Sequence, residues 1–326
     1  MENQANGLGK VNKKLTSVEK ATSTILKNIP VLSSHEEIVL NSLGKTLAKP
    51  VTALLSNPPS DVSSMDGYAL KNSDIDNGVL EFTVIDESVA GKSSSKTVAT
   101  MQTVRIFTGA KIPHGADRVI LQEDVKRLGN NLIKINKNKL ENNNFFIRKT
   151  GMDFKLGEKL IDKGEVLNTR NISLCVASGN SWVTIRRKPK IGIISTGNEL
   201  LKFGEVQNSK NNDKIISSNG IFLFNFINQL GGEAFILPTA KDDIKSLTNI
   251  LDEANDLDLI ISSGGASVGD YDIVQRALEK NNFELLFWRI AMRPGKPLFF
   301  GLLEKIPFLG LPGNPVSTGV CSIIFL

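Results

Sequence analysis

DLIISSGGASVGDYDIVQRALEKN, residues 258–281, carries one complete structural phrase. DLIISS (258–263) is a short apolar run, the form taken by a strand buried on both faces. SGGASVGDYD opens into a glycine loop that ends on Asp270 and Asp272, and DIVQRALEKN (272–281) reads as a helix. The same strand–loop–helix phrase recurs on either side. IGIIST (191–196) precedes the helix SNGIFLFNFINQL (218–230), and EAFILPT (233–239) precedes DDIKSLTNILDEA (242–254). LLFWRIAM (285–292), PLFFGLL and IPFLGL follow as strands, and a helix starts at Pro315. Apolar strands alternating with helices predict a parallel sheet covered on both faces, hence an α/β layer.

Upstream the pattern changes. LEFTVIDES (80–88), TVRIFTGA (103–110), DRVILQEDV (117–125) and NLIKINK (131–137) are short alternating segments separated by Gly, Asn and Pro, which predicts a β-rich module. The Asn/Lys-rich stretch 129–144 reads as a hairpin and loop. Before it, a helical pattern runs over about 15–28 to Pro30, and could pack on the α/β layer or on the linker. Ser34 with Glu37 three residues on has the form of a capping box, predicting a second helix that ends at Gly44. The expected organisation is therefore N-terminal helices and linker over 1–50 and a β-rich, barrel-like module over 51–145. The linker domain then resumes over 146–188, and an α/β domain covers 189–326.

With 326 residues, two or more domains are expected. A hydrophobic fraction of 40% with 22% charged residues fits a globular protein. The net charge of +5 tolerates an anionic ligand, but two Trp, two Tyr and no aromatic-plus-basic stripe argue against nucleic acid. No apolar run approaches a membrane span of roughly 18 residues, and MENQANGLGKVNKKL has no apolar signal core. Cys175 and Cys321, far apart in apolar surroundings, read as buried thiols, so a cytoplasmic protein is expected. His35 and His114 are the only histidines, which argues against a zinc site and a Ser-His-Asp triad.

The unusual residues cluster by topology. STGNEL (195–200), AKDD (240–243), the SSGGASVGDYD loop, AMRPGKP (291–297) and GLPGNPVS (310–317) each follow a strand, so all five belong to the carboxyl rim where open α/β sheets bind ligands. Arg289, Arg293 and Lys296 form a cationic half, and helix N-termini after Gly269 and Gly313 add amide donors. Glu199, Asp242, Asp243, Asp270 and Asp272 form an acidic half. Carboxylates facing phosphate imply a bridging hard cation, most naturally Mg²⁺; Asp242 can equally act as a helix cap, whereas for the Asp270/Asp272 pair the functional reading is favoured over capping by Asp272. In the β-rich module, Met65–Asp66–Gly67–Tyr68 reads as a turn that shows Asp66 to a cleft rather than a core strand. Thr108–Gly109 breaks a strand, and His114 is expected to face solvent.

SSMDGYAL, RIFTGAKIPHGADRVILQED, RKTGMDF, STGNEL, SSGGASVGDYD, MRPGKP and GLPGNPVS occur in the order and spacing of the molybdopterin molybdenumtransferase family, which includes the E domain of gephyrin. The chain resembles that family from about residue 15 to its end. The resemblance implies a molybdopterin-binding α/β domain of a type shared with the adenylyltransferase one step earlier. It also implies a homodimer with its site at the subunit interface, where the β-module of one chain approaches the α/β domain of the other, and hand-over contacts with other proteins of cofactor synthesis.

The implied reaction takes adenylated molybdopterin and molybdate, releases AMP with Mg²⁺ present, and leaves molybdenum on the dithiolene. By the same resemblance Asp66, Thr108, Asp153, Glu199 and Asp272 are catalytic, with Glu199, Asp242 and Asp272 at the metal. Gly264, Gly265, Ser267, Gly269, Arg289, Arg293, Lys296, Gly313, Asn314 and Ser317 would bind the cofactor and its oxyanions. Asn198 stands where the family usually has Asp, and the family's C-terminal β-domain has no counterpart before Leu326, a pattern expected of a truncated sequence or of a shortened protein, with the apolar STGVCSIIFL favouring truncation. Adenylyl transfer to molybdopterin, or a non-catalytic molybdopterin-binding scaffold, are the alternative readings.

Overall fold

The structure, a computed structural model, describes residues 15–140, 144–197, 199–201, 214–238, 248–251, 254, 256–264, 274, 277–278 and 281–326. The chain divides into two compact units, His35–Ile185 and Met1–Ser34 with Arg186–Leu326.

The first unit is built on a six-stranded sheet: β1 (Gly67–Leu70), β2 (Glu81–Ser88), β3 (Gln102–Ile106), β4 (Arg118–Leu121), β5 (Val125–Arg127) and β6 (Leu132–Ile135), in spatial order β4-β1-β3-β2-β6-β5. Every segment expected as a strand in this region is one. The stretch 129–144 expected to form a hairpin supplies only its turn and second strand: β6 pairs with β5, which precedes the stretch, with Val125 opposite Ile135. The turn reading of residues 65–68 is corrected. Gly67 begins β1, and all four residues of β1 are buried between β3 and β4. Glycine is required there by packing rather than by turn geometry. A Cβ at Gly67 would stand 2.0 Å from the Ile120 carbonyl oxygen. Tyr68, Leu70, Phe82, Ile120, Ile133 and Ile135 form one core over this sheet.

The expected second helix is also corrected. Ser34–Ile38 is a strand paired with Trp182–Arg186, and only Val39–Asn41 is helical, as a single 3₁₀ turn. A capping box is a local preference worth about 1 kcal/mol, which strand pairing outweighs. Glu37 instead takes Lys45 Nζ at 2.6 Å. The Thr169–Ala177 helix, capped by Asn168 and Asn171 in a true capping box, packs Cys175 beside Val39, Leu47 and Ile185.

The second unit carries β7 (Lys190–Ser195), β8 (Glu233–Ile236), β9 (Leu259–Ser263), β10 (Phe283–Trp288), β11 (Phe299–Leu303) and β12 (Ile306–Leu311), in spatial order β8-β7-β9-β12-β11-β10. The sheet is parallel from β8 to β12, but β11 runs antiparallel to both neighbours, so the expected parallel sheet is mixed. Two reversals bring β10 back to the common direction, and the loop after it opens on the same rim as those after β7, β9 and β12.

Adjacent residues of one strand serve opposite faces, as the pleat demands. Ile193, Ile261 and Phe300 join Leu223, Ile227 and Cys321 on one side, and Ile194, Ile260 and Phe299 join Ile250, Leu251 and Leu278 on the other. This is a three-layer α/β domain. The choice left open for the first helix is resolved by Val18–Asn28, which buries Ala21 and Ile25 in the α/β core, while Thr16 bridges to Ile290. The Ser218–Gln229 and Pro315–Phe325 helices lie where the sequence pattern puts them.

Candidate functional site

In the α/β unit, strand register alone aligns the rim. Ser195 pairs with Ser263 and Ser263 with Leu311, so β7, β9 and β12 end level with one another. A cleft of about 100 Å³ opens just beyond them. It is lined by Ser195, Thr196, Glu199, Ser217, Asn219, Ser263, Gly264, Gly313 and Pro315, together with Leu200, Ile215, Ile216 and Ser218. Three residues expected at the site, Glu199, Gly264 and Gly313, are thereby brought together.

Gly264 is dictated by backbone conformation and close approach: its φ is +99° and a Cβ on it would meet Thr196 O and Oγ1 at 2.9 Å, while Gly313 lies against it, a Cβ there meeting Gly264 Cα at an ordinary contact distance of 3.5 Å. Glu199 folds over Gly197, both carboxylate oxygens lying 2.6 Å from where a Cβ would stand. The helices starting at Ser218 and Pro315 begin at this cleft, so the positive ends of their dipoles favour an anion there.

Sequence reading missed Asn219. Its Nδ2 donates to Ser263 Oγ and to the Gly313 carbonyl, each at 2.8 Å, so one amide ties three rim elements together. The signal lay in Ser217–Ser218–Asn219, a polar triplet immediately before the apolar run GIFLF (220–224). Ser217 Oγ donates to Ser195 Oγ at 3.3 Å behind it.

Asn314 has another assignment from the one expected. Its Oδ1 accepts from the Val316 and Ser317 amides at 3.0 and 3.2 Å, which spends the side chain on capping. Ser317 sits in the first turn of that helix.

The cationic loop is a separate piece of the rim, on β10, two strand positions or about 10 Å from β12. Its base is closed by Arg289 N to the Leu298 carbonyl at 2.8 Å and Ile290 N to the Lys296 carbonyl at 3.1 Å. Gly295 packs on Cys321 of the last helix. The Arg289 guanidinium lies 5.5 Å from the Trp288 ring centre. Arg293 and Lys296 are exposed at the tip. Asp242, Gly265, Ser267, Gly269, Asp270, Asp272 and Asn198 lie outside the described residues. Among the described residues no group of three or more metal-ligating side chains converges.

In the β-rich unit, Asp66 and Thr108, each expected on its own at the cleft, meet because β1 and β3 are antiparallel neighbours with Gly67 opposite Ile106. Residues just before one strand and just after the other must then be adjacent. The Thr108 amide and hydroxyl both donate to Asp66 Oδ1 at 2.8 Å. These bonds, the amide first, and the charge of Arg105 hold the Asp66 carboxyl below the usual carboxylate range. Asp153 takes different partners: Arg148 NH2 reaches both its oxygens at 2.8 and 2.9 Å, and Asn57 Nδ2 reaches Oδ2 at 3.2 Å. His114 is exposed, as expected.

Residues 16–179 match the family described as "MoeA N-terminal region (domain I and II)", and residues 192–326 match "Probable molybdopterin binding domain". A molybdopterin molybdenumtransferase of Haemophilus influenzae is 33% identical over 305 residues, covering 93% of this chain and 74% of that protein. The chain belongs to the molybdopterin molybdenumtransferase family. A Staphylococcus aureus member is 34% identical over 303 residues, covering 91% of this chain and 71% of its own length. A solved molybdopterin biosynthesis MoeA protein from Pyrococcus horikoshii superposes with a TM-score of 0.83 at 32% identity, over 96% of this chain and 78% of that one. The family is one of transferases in molybdenum cofactor biosynthesis. No helix among the described residues is long and apolar enough to cross a membrane.

Proposed function

We propose that the chain catalyses Mg²⁺-dependent insertion of molybdate into adenylated molybdopterin with release of AMP. The observation that carries this reading is the cleft just beyond the level strand ends at Ser195, Ser263 and Leu311, with Glu199 folded over Gly197 and two helix N-termini beside it. A carboxylate beside helix N-termini suits an anion held with a cation, rather than an anion alone. The described donors of the cleft are carboxylate, hydroxyl, amide and carbonyl oxygens, with neither Cys nor His, which fits a hard cation.

In this reading Glu199, Asp242 and Asp272 hold Mg²⁺, whose contribution when bound is to neutralise phosphate charge. Gly264, Gly265, Ser267, Gly269, Gly313 and Ser317 line the cofactor's path with backbone and hydroxyl donors. Asn314 acts through its cap. Arg289, Arg293 and Lys296 carry the molybdate and phosphate oxygens, and the exposed Arg293 and Lys296 are available to them. Asp66 with Thr108, and Asp153 with Arg148, present oriented carboxylates from the β-rich unit. The proposal includes a cytoplasmic homodimer in which a second copy of the chain completes each site, and transient hand-over contacts with other cofactor-synthesis proteins.

The test is AMP release from adenylated molybdopterin with and without molybdate and Mg²⁺. Molybdate-dependent release should be lost in Glu199→Gln, Asp272→Asn and Lys296→Ala. Full turnover in all three variants would sink the site assignment, and binding without any turnover would leave a scaffold. Light scattering tests the dimer.

A further inference from the structure

Arg105 lies on β3, only 9% exposed, yet among the described residues no carboxylate is hydrogen-bonded to it. Burying a guanidinium among neutral partners is costly, and a neutral side chain could fill the same space at less cost. Its surroundings are specific. The guanidinium carbon lies 5.0 Å from the Tyr68 ring centre and 4.7 Å from that of Phe107, so the cation is set between two aromatic faces. Its NH1 donates to the Gly67 carbonyl at 3.0 Å, and its NH2 donates to Gln122 Oε1. The Gln122 backbone N–H in turn donates to the Asp66 carbonyl at 3.2 Å. Both anchors therefore flank Asp66, one as the next residue and one as a direct partner, while Phe107 adjoins Thr108.

We propose that Arg105 is a positioning residue, clamping Gly67 and Gln122 so that the Asp66 carboxylate and Thr108 are held in one fixed arrangement. This rests on the reading that Asp66 and Thr108 take part in the transfer. The charged groups around the pair are few. Asp66 faces the Thr108 amide and hydroxyl and lies within the field of Arg105. Glu123 joins the cluster through Gln122 Nε2 at 3.2 Å, and Arg127 joins through the Tyr68 hydroxyl at 3.1 Å. Removing the Arg105 charge should let the Asp66 carboxyl rise, because its charged form loses a stabilising neighbour.

The experiment compares Arg105→Gln, Arg105→Lys and Gln122→Ala in the full chain. Gln122 is exposed, so its variant keeps the fold even where the buried Arg105 substitutions impair it. Two readouts are taken: molybdate-dependent turnover against pH, and titration of the Asp66 side-chain carboxyl by carbon NMR, assigned with Asp66→Asn. Arg105→Gln should lower kcat about 100-fold with KM little changed, as expected for a misplaced group. Its acid limb and the Asp66 titration should both move to higher pH. Arg105→Lys should restore the titration more than the rate, since a point charge cannot hold both anchors. Gln122→Ala should cost about tenfold, the rate equivalent of one hydrogen bond to a charged group.

A folded Arg105→Gln with wild-type titration and turnover overturns the proposal. So does lost turnover with an unmoved Asp66 titration, which would make Arg105 a purely structural residue. If Asp66→Asn keeps full turnover while Arg105→Gln still moves the Asp66 titration, the functional reading fails and the clamp stands.

Discussion

Replacing Gly67 with alanine tests the packing argument and the Asp66 site together. The added Cβ would lie 2.0 Å from Ile120 O, 2.9 Å from Ile120 C and 3.1 Å from Val119 Cγ1. Relief to ordinary contact requires β1 and β4 to part by roughly 1.3 Å or more. Neither strand can yield freely, because β1 is buried throughout and hydrogen-bonded on both edges, to β3 and β4. The strain and weakened ladder bonds should cost about 2–4 kcal/mol. At 2–4 °C per kcal/mol for a unit of this size, Tm of the β-rich unit should fall by roughly 5–15 °C. Calorimetry should find the loss in the transition carrying β1, and hydrogen exchange should quicken at the amides of Tyr68, Ile120 and Leu121. Since Asp66 directly precedes the displaced residue, molybdate-dependent turnover should fall as well. A Gly67→Ala protein melting within 1 °C of the parent, with unchanged exchange at those amides, would refute the reasoning.

Thr108→Val keeps the amide bond to Asp66 but removes the hydroxyl bond, so the depressed Asp66 carboxyl should rise. A lowered folded-state pKa gives stability that is present above the unfolded value and lost as pH falls through the folded one. The acid unfolding midpoint of the variant should therefore lie at higher pH than that of the parent, and an unchanged midpoint contradicts the assignment. Asn219→Ala frees Ser263 Oγ and the Gly313 carbonyl; it should cost about 1–3 kcal/mol and lower kcat/KM at least tenfold, measured by melting and AMP release. Cys175 and Cys321 are both fully buried, and burial pushes the Cys321 thiol up to about 11. Neither should react with iodoacetamide at pH 8 until the chain is unfolded, and native labelling seen by intact mass would overturn this.

Much of the site was legible before any coordinates, because its signals are local or topological. Strand–helix alternation implies a sheet, and a sheet with a common strand direction has a ligand-binding rim, so Glu199, Gly264 and Gly313 could be grouped from sequence order alone. Asp66 and Thr108 were recognisable one at a time, each in a glycine-bearing motif. Their contact depends on the antiparallel register of β1 and β3, which no single motif contains. Asn219 and Arg105 escaped notice for the same reason. An amide in a helix's first turn and a charge on a β-strand look ordinary until the partners at Gly313, Ser263, Gly67 and Gln122 are in view.

The elements themselves were determined by the sequence wherever a segment's periodicity was strong, as in IGIIST, LEFTVIDES and SNGIFLFNFINQL. Hydrophobic spacing acts within one segment and needs no partner. Tertiary structure alone decided the rest. It turned the Ser34–Glu37 cap signal into a strand, since pairing with Trp182–Arg186 outweighs one local cap. It put Gly67 inside a buried strand, where the reason for glycine is a neighbouring carbonyl 53 residues away in sequence. And it docked the Val18–Asn28 helix on the α/β sheet: an amphipathic stripe states that a face must be buried, while the surface that buries it is chosen by the Thr16–Ile290 bridge and the space around Ala21 and Ile25.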